Sequence, residues 1–331
     1  NDYLGFSKLL IPYESTDITL PTGSTGSRLI SGNSSLAEKT EQLIAGYHNA
    51  ESALIFNCGY MANVGLFSCV VDTHDVVIHD ELIHASVIDG IRLGFGQRLK
   101  FKHNDVSDLE RILAKSKGRV FVAIESVYSM DGDIAPLENI ANLCQKYSAF
   151  LIVDEAHSIG VYGNKGEGLV SSLHLEEKVF ARVITFGKAM GLHGAAVLGS
   201  RTLIDFLINH SRAFIYTTAL PPHTYVLLQK SYTLLPSADR KTLFELINHF
   251  KFKASKIEKY RWQCNDSPIQ NLLGDGNDMV KSIADTLQKN NFAVKAILSP
   301  TVPKGKERLR ICLHSFNTVE QIDALFEWVN S

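Results

Sequence analysis

The sequence predicts an α/β fold, in which a mainly parallel sheet is covered by helices and followed by a smaller α+β unit. Two observations support this prediction. Short apolar runs alternate with helix-like segments from about residue 51 to about residue 200, and this alternation is typical of a sheet covered on both faces. After Pro221 and Pro222 the pattern changes to long helical stretches mixed with a few strands.

Seven short segments of the first part are predicted strands: residues 53–56, 75–79, 98–102, 120–125, 150–153, 179–185 and 195–198. Apolar residues at helical spacing predict helices between them, over residues 60–71, 84–93, 106–115 and 136–147. The second part has predicted helices at 223–235, 242–259 and 319–329, with strands at 294–298 and 308–313.

We therefore expect three parts: an N-terminal segment (residues 1–45), a large unit (46–220) and a small α+β unit (221–331). The chain begins at Asn1 rather than at a methionine, so we expect further residues before it.

Composition excludes several classes of protein. The chain has 331 residues and a formal net charge of −2, and its lysines and arginines are scattered, unlike the basic face of a nucleic-acid-binding protein. No apolar run approaches the roughly 20 residues that a membrane-spanning helix needs. The five cysteines form no CxxC pair, which indicates free thiols and a cytoplasmic location.

Several polar residues lie just beyond the predicted strands, although they come from distant parts of the chain. They are Glu125, Ser126, Ser129, Asp154, His157 and residues 185–188. In open α/β sheets, ligands bind outside the carboxyl ends of the strands. We expect these side chains to converge on one crevice.

Lys188 lies between Gly187 and Gly191, directly after a predicted buried strand. A partly desolvated lysine has a lowered pKa and is a usable nucleophile, although a surface lysine in a glycine turn has the same pattern. Asp154 ends another strand, with His157 three residues later. An aspartate and a histidine so placed can bind a cofactor ring, or they are a helix cap and a core histidine.

Two predicted helix starts are further candidates. Gly59 and Tyr60 begin a helix after a strand, where backbone N–H groups bind phosphate, although an ordinary strand–helix turn looks the same. His84 also begins a helix and can stack on a cofactor ring. A metal pair of His79 and His84 is the rival interpretation, but their spacing does not suit one helical face and a third ligand is lacking, so we expect no metal site.

Taken in order along the chain, these segments resemble the α-oxoamine synthase family of fold-type I enzymes that depend on pyridoxal 5′-phosphate (PLP). The resemblance runs from residues 1–5 through residues 185–191 to residues 308–310. It implies a fold-type I PLP-dependent transferase with a seven-stranded type of sheet, a segment before Asn1, and a homodimer.

The resemblance implies cofactor roles for several residues. Lys188 carries PLP as a Schiff base and then acts as the acid and base at the substrate Cα, while Asp154 pairs with the pyridine nitrogen. His84 stacks on the ring and also borders the substrate. The other expected cofactor contacts are the phosphate residues Gly59 and Tyr60, the ring-oxygen residues Ser129 and His157, and Thr185. His84, Asp154 and His157 join Lys188 as expected catalytic residues.

The resemblance also implies substrate contacts and a reaction. Arg310, assisted by Asn1, holds the carboxylate of an amino acid, and Thr301 lies at the substrate; a guanidinium suits the task because it binds a carboxylate through two hydrogen bonds. The implied reaction is a decarboxylative condensation of the amino acid with an acyl thioester.

Three segments favour the members of this family that condense L-alanine with a pimeloyl thioester in biotin biosynthesis: residues 22–32, 103–105 and 299–303. Residues 87–92 instead resemble the members that acetylate glycine, and Ala189 and Met190 replace a Gly-Phe pair that often follows the lysine. Acetylation of glycine and palmitoylation of serine therefore remain alternatives.

Two readings from other classes remain. A non-catalytic binding module on this fold would be expected to lack the lysine, whereas Lys188 is present. A metal-dependent hydrolase using His79, His84 and His157 would bind metal tightly and no coloured cofactor.

Overall fold

The computed structural model describes residues 1–8 and 20–330. Its larger sheet has seven strands: β1 (Ser52–Phe56), β2 (Val76–Asp80), β3 (Gln97–Phe101), β4 (Val120–Glu125), β5 (Phe150–Asp154), β6 (Ala181–Thr185) and β7 (Ala195–Gly199). The strand order is β1-β7-β6-β5-β4-β2-β3, and β7 runs antiparallel to both of its neighbours. The prediction of a mainly parallel, seven-stranded sheet is confirmed.

In the part of the chain that the structure describes, eight α-helices accompany this sheet: α1 (Ser35–Tyr47), α2 (Gly59–Val70), α3 (Ala85–Leu93), α4 (Val106–Leu113), α5 (Leu137–Lys146), α6 (Leu169–Ser172), α7 (Arg201–His210) and α8 (Arg212–Ile215). Helices α2 to α5 match the predicted ones to within a few residues. Helix α1 was not predicted. It begins where the Ser34 side chain accepts a hydrogen bond from Ala37 N at 3.2 Å, an N-cap that satisfies one of the free donors of the first turn.

The second sheet is antiparallel, with the order β10-β11-β9-β8. Its strands are β8 (Arg261–Gln263), β9 (Ile269–Leu273), β10 (Lys295–Ile297) and β11 (Arg308–Cys312). The helices of this part are α9 (Pro222–Leu234), α10 (Arg240–Ala254), α11 (Asn277–Lys289) and α12 (Val319–Asn330). Strands β8 and β9 and helix α11 were not predicted. No helix within residues 1–8 and 20–330 is long and apolar enough to cross a membrane.

One apolar cluster reaches from the larger sheet to the second. It includes Val122 and Val153 of the larger sheet together with Leu272 and Leu309 of the second. The N-terminal Tyr3 belongs to the same cluster, and its carbonyl accepts a hydrogen bond from Ser315 N at 2.8 Å. Burial of this shared surface holds the first residues and both sheets together.

Candidate active site

The carboxyl ends of three neighbouring strands bring polar residues to one edge of the larger sheet. Strand β4 ends at Glu125 and β5 at Asp154, and these two residues are register partners. Strand β6 ends at Thr185, and Lys188 follows in the next turn. Parallel strands present their carboxyl ends at the same edge, where α/β proteins bind ligands. This edge is the candidate active site.

Lys188 lies in a tight turn in which Gly191 N donates to the Lys188 carbonyl at 2.9 Å. Gly191 has a φ of +61°, and a Cβ there would lie 2.2 Å from Ser7 N, so only glycine fits. Burial lowers the pKa of the Lys188 amine to about 8, although the charges of Asp154 and Glu125 act in the opposite direction. A substantial share of this amine is therefore neutral, and nucleophilic, slightly above neutral pH.

Both carboxylate oxygens of the buried Asp154 accept hydrogen bonds. Asn63 Nδ2 donates to Oδ2 at 2.8 Å, and Ala156 N donates to Oδ1 at 2.9 Å. The same Asn63 amide donates to Ser86 Oγ at 3.0 Å, which in turn lies 2.7 Å from His84 Nδ1. A continuous chain of hydrogen bonds thus connects the aspartate at the end of β5 with the histidine before α3.

His84 is the N-cap residue of α3, as its predicted position at a helix start implied. Its Nδ1 accepts a hydrogen bond from Ser86 N at 3.2 Å. Part of the residue is exposed to solvent. Desolvation of its ring at the crevice nevertheless lowers the pKa of His84. The charge of Lys188 reinforces this lowering, and the charge of Asp154 opposes it.

His157 is almost completely buried, and its Nδ1 lies 2.7 Å from the Tyr3 hydroxyl. Burial, reinforced by the positive charges of Lys188 and Arg310, lowers the pKa of His157 well below its ordinary value. Burial also raises the pKa of Tyr3. The pair therefore joins a neutral imidazole to a protonated phenol, and no hydrogen bond from the described residues reaches the other ring nitrogen, Nε2.

Gly59 and Tyr60 are the first two residues of α2, as predicted. The N-cap residue Cys58 makes no side-chain hydrogen bond to this helix end, so the first N–H groups of α2 have no side-chain cap. A Cβ on Gly59 would lie 3.6 Å from Thr185 Cβ, which places the helix start beside the end of β6. The Tyr60 hydroxyl donates to Asp89 Oδ2 at 2.7 Å.

Arg310 of β11 brings a positive charge from the second sheet to the site. Its Nε donates to the Ser129 carbonyl at 2.7 Å, Nη1 to Cys312 Sγ at 3.0 Å and Nη2 to Asn1 Oδ1 at 3.3 Å. None of the three acceptors is a carboxylate. Thr301 is exposed in the connection between β10 and β11, and within the described residues no hydrogen bond joins it to this cluster.

Glu125 is a site residue to which the sequence analysis assigned no role. Its side chain is buried, Oε2 accepts a hydrogen bond from Ser129 N at 3.1 Å, and Oε1 has no hydrogen-bond partner among the described residues. Burial, reinforced by the negative charge of Asp154, raises the pKa of Glu125 to about 8. The position of Glu125 at the end of a buried strand, next to Ser126, was the sequence feature that could have indicated a role in the site. The pairing of Glu125 with Asp154 across neighbouring strands could not be predicted from the sequence.

Nearly the whole sequence matches the model of a known protein family. The model of the family described as aminotransferase class I and II matches residues 1–327. The chain belongs to this family.

Individual relatives with more specific names are also similar to this chain. A curated relative, the 8-amino-7-oxononanoate synthase of Emericella nidulans, is 40% identical, with 93% of this chain and 80% of the relative covered. The solved 8-amino-7-oxononanoate synthase of Francisella tularensis is 30% identical, with a TM-score of 0.84, and 99% of this chain and 94% of that chain are covered. A serine palmitoyltransferase from S. paucimobilis, solved with bound PLP–myriocin aldimine, is 28% identical, with a TM-score of 0.88 and coverage of 93% and 79%.

Proposed function

We propose that this chain is a PLP-dependent acyltransferase that condenses L-alanine with a pimeloyl thioester, on coenzyme A or on a carrier protein. The products are 8-amino-7-oxononanoate, carbon dioxide and the free thiol, and the reaction serves biotin biosynthesis. The similarity to synthases of this name over nearly the whole chain supports the proposal. The observation that carries it is the combination, at one edge of the sheet, of the desolvated amine of Lys188 and the guanidinium of Arg310, which has no carboxylate partner among residues 1–8 and 20–330.

The residues at this edge fit PLP. An amine with a lowered pKa, Lys188, suits attachment to the aldehyde, and the carboxylate of Asp154 suits the pyridine nitrogen. The first N–H groups of α2, for which the N-cap residue Cys58 provides no side-chain cap, suit the phosphate. The residues that would hold the cofactor are Gly59, Tyr60, His84, Ser129, Asp154, His157, Thr185 and Lys188. When bound, PLP supplies an electron sink that stabilises negative charge at the Cα of the amino acid.

The proposed roles of the chain's own groups follow from their chemistry. Lys188 Nζ takes the proton from the Cα of L-alanine and later returns one, because a pKa of about 8 lets the amine exchange protons near neutral pH. His157 is neutral and offers Nε2 to the cofactor. Arg310 and Asn1 bind the carboxylate of L-alanine, and His84 and Thr301 border the substrate.

The proposal also covers the organisation of the chain and its location. The chain is divided into residues 1–45, a PLP-binding unit at 46–220 and a small α+β unit at 221–331. It works in the cytoplasm.

The proposed assembly is a homodimer. The side chain of Ile30 is 86% exposed and that of Tyr216 is 73% exposed. The segments that carry them are joined by a bridge between Ser27 and Thr218, and we propose that a second copy covers these adjoining segments. Light scattering should give the mass of a dimer, and Ile30→Asp should shift it toward the monomer, whereas Lys241→Asp at an exposed helix position should not.

The alternatives are the sister reactions, in which glycine is acetylated or L-serine is palmitoylated. The structural similarity to a serine palmitoyltransferase supports the palmitoylation of L-serine as an alternative. The test is to add PLP, record the visible spectrum during titration with L-alanine, glycine and L-serine, and then identify the product with pimeloyl, acetyl and palmitoyl thioesters by mass spectrometry. The strongest response to L-alanine, with 8-amino-7-oxononanoate as product, supports the proposal. A spectrum unaffected by PLP would refute it.

A further inference from the structure

His103 lies in the connection between β3 and α4, and both nitrogens of its ring face carboxylates. Nδ1 lies 2.9 Å from Asp80 Oδ1, and Nε2 lies 2.7 Å from Asp133 Oδ2. The neighbouring Asn104 contacts the same two carboxylates, with its backbone N at 2.9 Å from Asp80 Oδ2 and its Nδ2 at 2.6 Å from Asp133 Oδ2. The ring therefore bridges two acidic side chains from separate segments of the chain.

Two carboxylates on one ring favour a charged imidazole. An ionised carboxylate only accepts hydrogen bonds, and a neutral imidazole donates from one nitrogen only, so two such bonds need both nitrogens protonated. The other groups around His103 are Tyr128, whose ring meets the imidazole edge-on with centroids 4.5 Å apart, and Glu81, which accepts from the His103 backbone N. Burial alone lowers the pKa of His103, but the hydrogen bonds to Asp133 and Asp80 raise it to about 10.

The two carboxylates belong to the two segments that carry site residues. Asp80 ends β2, and its Oδ1 accepts from Leu82 N at 2.8 Å, in the turn that leads to His84. Asp133 ends the loop of residues 126–133, where its carbonyl accepts from Tyr128 N at 3.0 Å.

The same loop provides a hydrogen-bond acceptor for the side chain of Arg310. Ser129 N donates to Glu125 Oε2, and the Ser129 carbonyl accepts from Arg310 Nε at 2.7 Å. A displacement of the loop would therefore move the acceptor that orients the guanidinium.

We propose that His103 is a positioning residue: as an imidazolium it clamps the His84 turn to the Ser129 loop and thereby orients Arg310 for the carboxylate of the amino acid. The inference rests on the proposed function, because it takes Arg310 as the carboxylate-binding group. It goes beyond that function by assigning a role to a cluster that does not itself contact the substrate.

The charge state is tested first, without any substrate. In protein labelled with ¹⁵N-histidine, the ring signals that disappear in His103→Gln belong to His103. We expect both nitrogens to remain protonated from about pH 6 to about pH 9, where an ordinary histidine loses its charge. A His103 ring that becomes neutral near pH 7 would overturn the clamp.

The positioning role is tested by titrating PLP-loaded His103→Gln and Asp133→Asn with L-alanine. We expect the apparent Kd and the KM for L-alanine to rise about tenfold or more, while kcat at saturating L-alanine stays within about threefold, because the reacting groups themselves are intact. His249→Gln is the matched control, since that ring is also 2.7 Å from an aspartate, Asp323, but lies on helix α10. Its KM should not change.

The outcomes separate the two proposals. A wild-type protein that does not respond to L-alanine contradicts the proposed function. A wild-type response that both variants reproduce unchanged contradicts only the role of His103. If His103→Gln fails to fold, Asp133→Asn, which keeps the bond to Asp80, decides the question by the same measurement.

Discussion

Arg308 and Arg310 project from the same strand, β11, but only Arg308 has a carboxylate partner among the residues that the structure describes. Arg308 Nη1 pairs with Asp131 Oδ1, and both side chains are largely buried. Arg310 instead donates to the Ser129 carbonyl, Cys312 Sγ and Asn1 Oδ1. Arg308 joins the second sheet to the loop beyond β4, whereas the charge of Arg310 remains available for a ligand.

Arg310→Ala should weaken the binding of L-alanine by about 1.5–3 kcal/mol, because a hydrogen-bonded charge pair with the carboxylate is lost. This corresponds to an affinity loss of about ten- to hundredfold. Spectral titration of the PLP-loaded protein measures it. Arg261→Ala, which removes an exposed cation from strand β8 of the same sheet, should leave the affinity unchanged. Equal affinities of Arg310→Ala and wild type would remove Arg310 from the substrate site.

Tyr3→Phe should weaken the retention of PLP and lower the free energy of unfolding by about 1–3 kcal/mol, because Nδ1 of the buried His157 loses its partner. Denaturation by urea and the release of PLP during dialysis measure the two effects. Tyr260→Phe, in the connection between α10 and β8, is the control. If Tyr3→Phe retains PLP as wild type does, the hydroxyl does not orient His157.

Glu125→Gln should change how stability depends on pH. The pKa of Glu125 is raised from 4.5 to about 8, so between these values the folded chain holds a proton that the unfolded chain has lost, and the free energy of unfolding falls as pH rises. The glutamine removes this dependence. The free energy of unfolding of Glu125→Gln, relative to that of wild type, should therefore rise from about pH 5 to about pH 8 by on the order of a few kcal/mol. Above pH 8 the difference should level off.

Urea denaturation of the protein without added PLP, repeated at several pH values, measures this difference. The exposed Glu177 supplies the control variant, Glu177→Gln, which should parallel wild type at every pH. A Glu125→Gln curve parallel to wild type would mean that Glu125 is ionised in the folded chain.

Lys188→Ala should abolish turnover and covalent attachment of PLP while leaving the fold intact, because only the reactive amine is lost. In the wild type, the rate of covalent loading should rise with pH through about 8, as the amine loses its proton. The visible spectrum and mass spectrometry after borohydride reduction follow the attachment. Lys241→Ala, at a position whose side chain is 88% exposed, should load normally. Substantial turnover by Lys188→Ala would end the proposed mechanism.

Much of the fold could be predicted from the sequence. Six strands of the larger sheet were predicted because strands buried on both faces are short apolar runs, and helices α2 to α5 because their apolar residues recur at helical spacing. Strand β8 was missed because its three residues become a strand only by pairing with β9. Helix α11 was missed although Val280, Ala284 and Leu287 form an apolar stripe.

The sequence by itself determined the order of the seven strands of the larger sheet along the chain, and it placed the end of each of these strands to within one residue, since local patterns encode both. This was sufficient to predict Lys188, Asp154 and His157 as candidates for one crevice. Only the tertiary structure decided which groups meet across long separations: Glu125 beside Asp154, Tyr3 on His157, and His103 between two carboxylates. Protonation states depend on burial and on charges brought close by packing. No local pattern in the sequence contains that information.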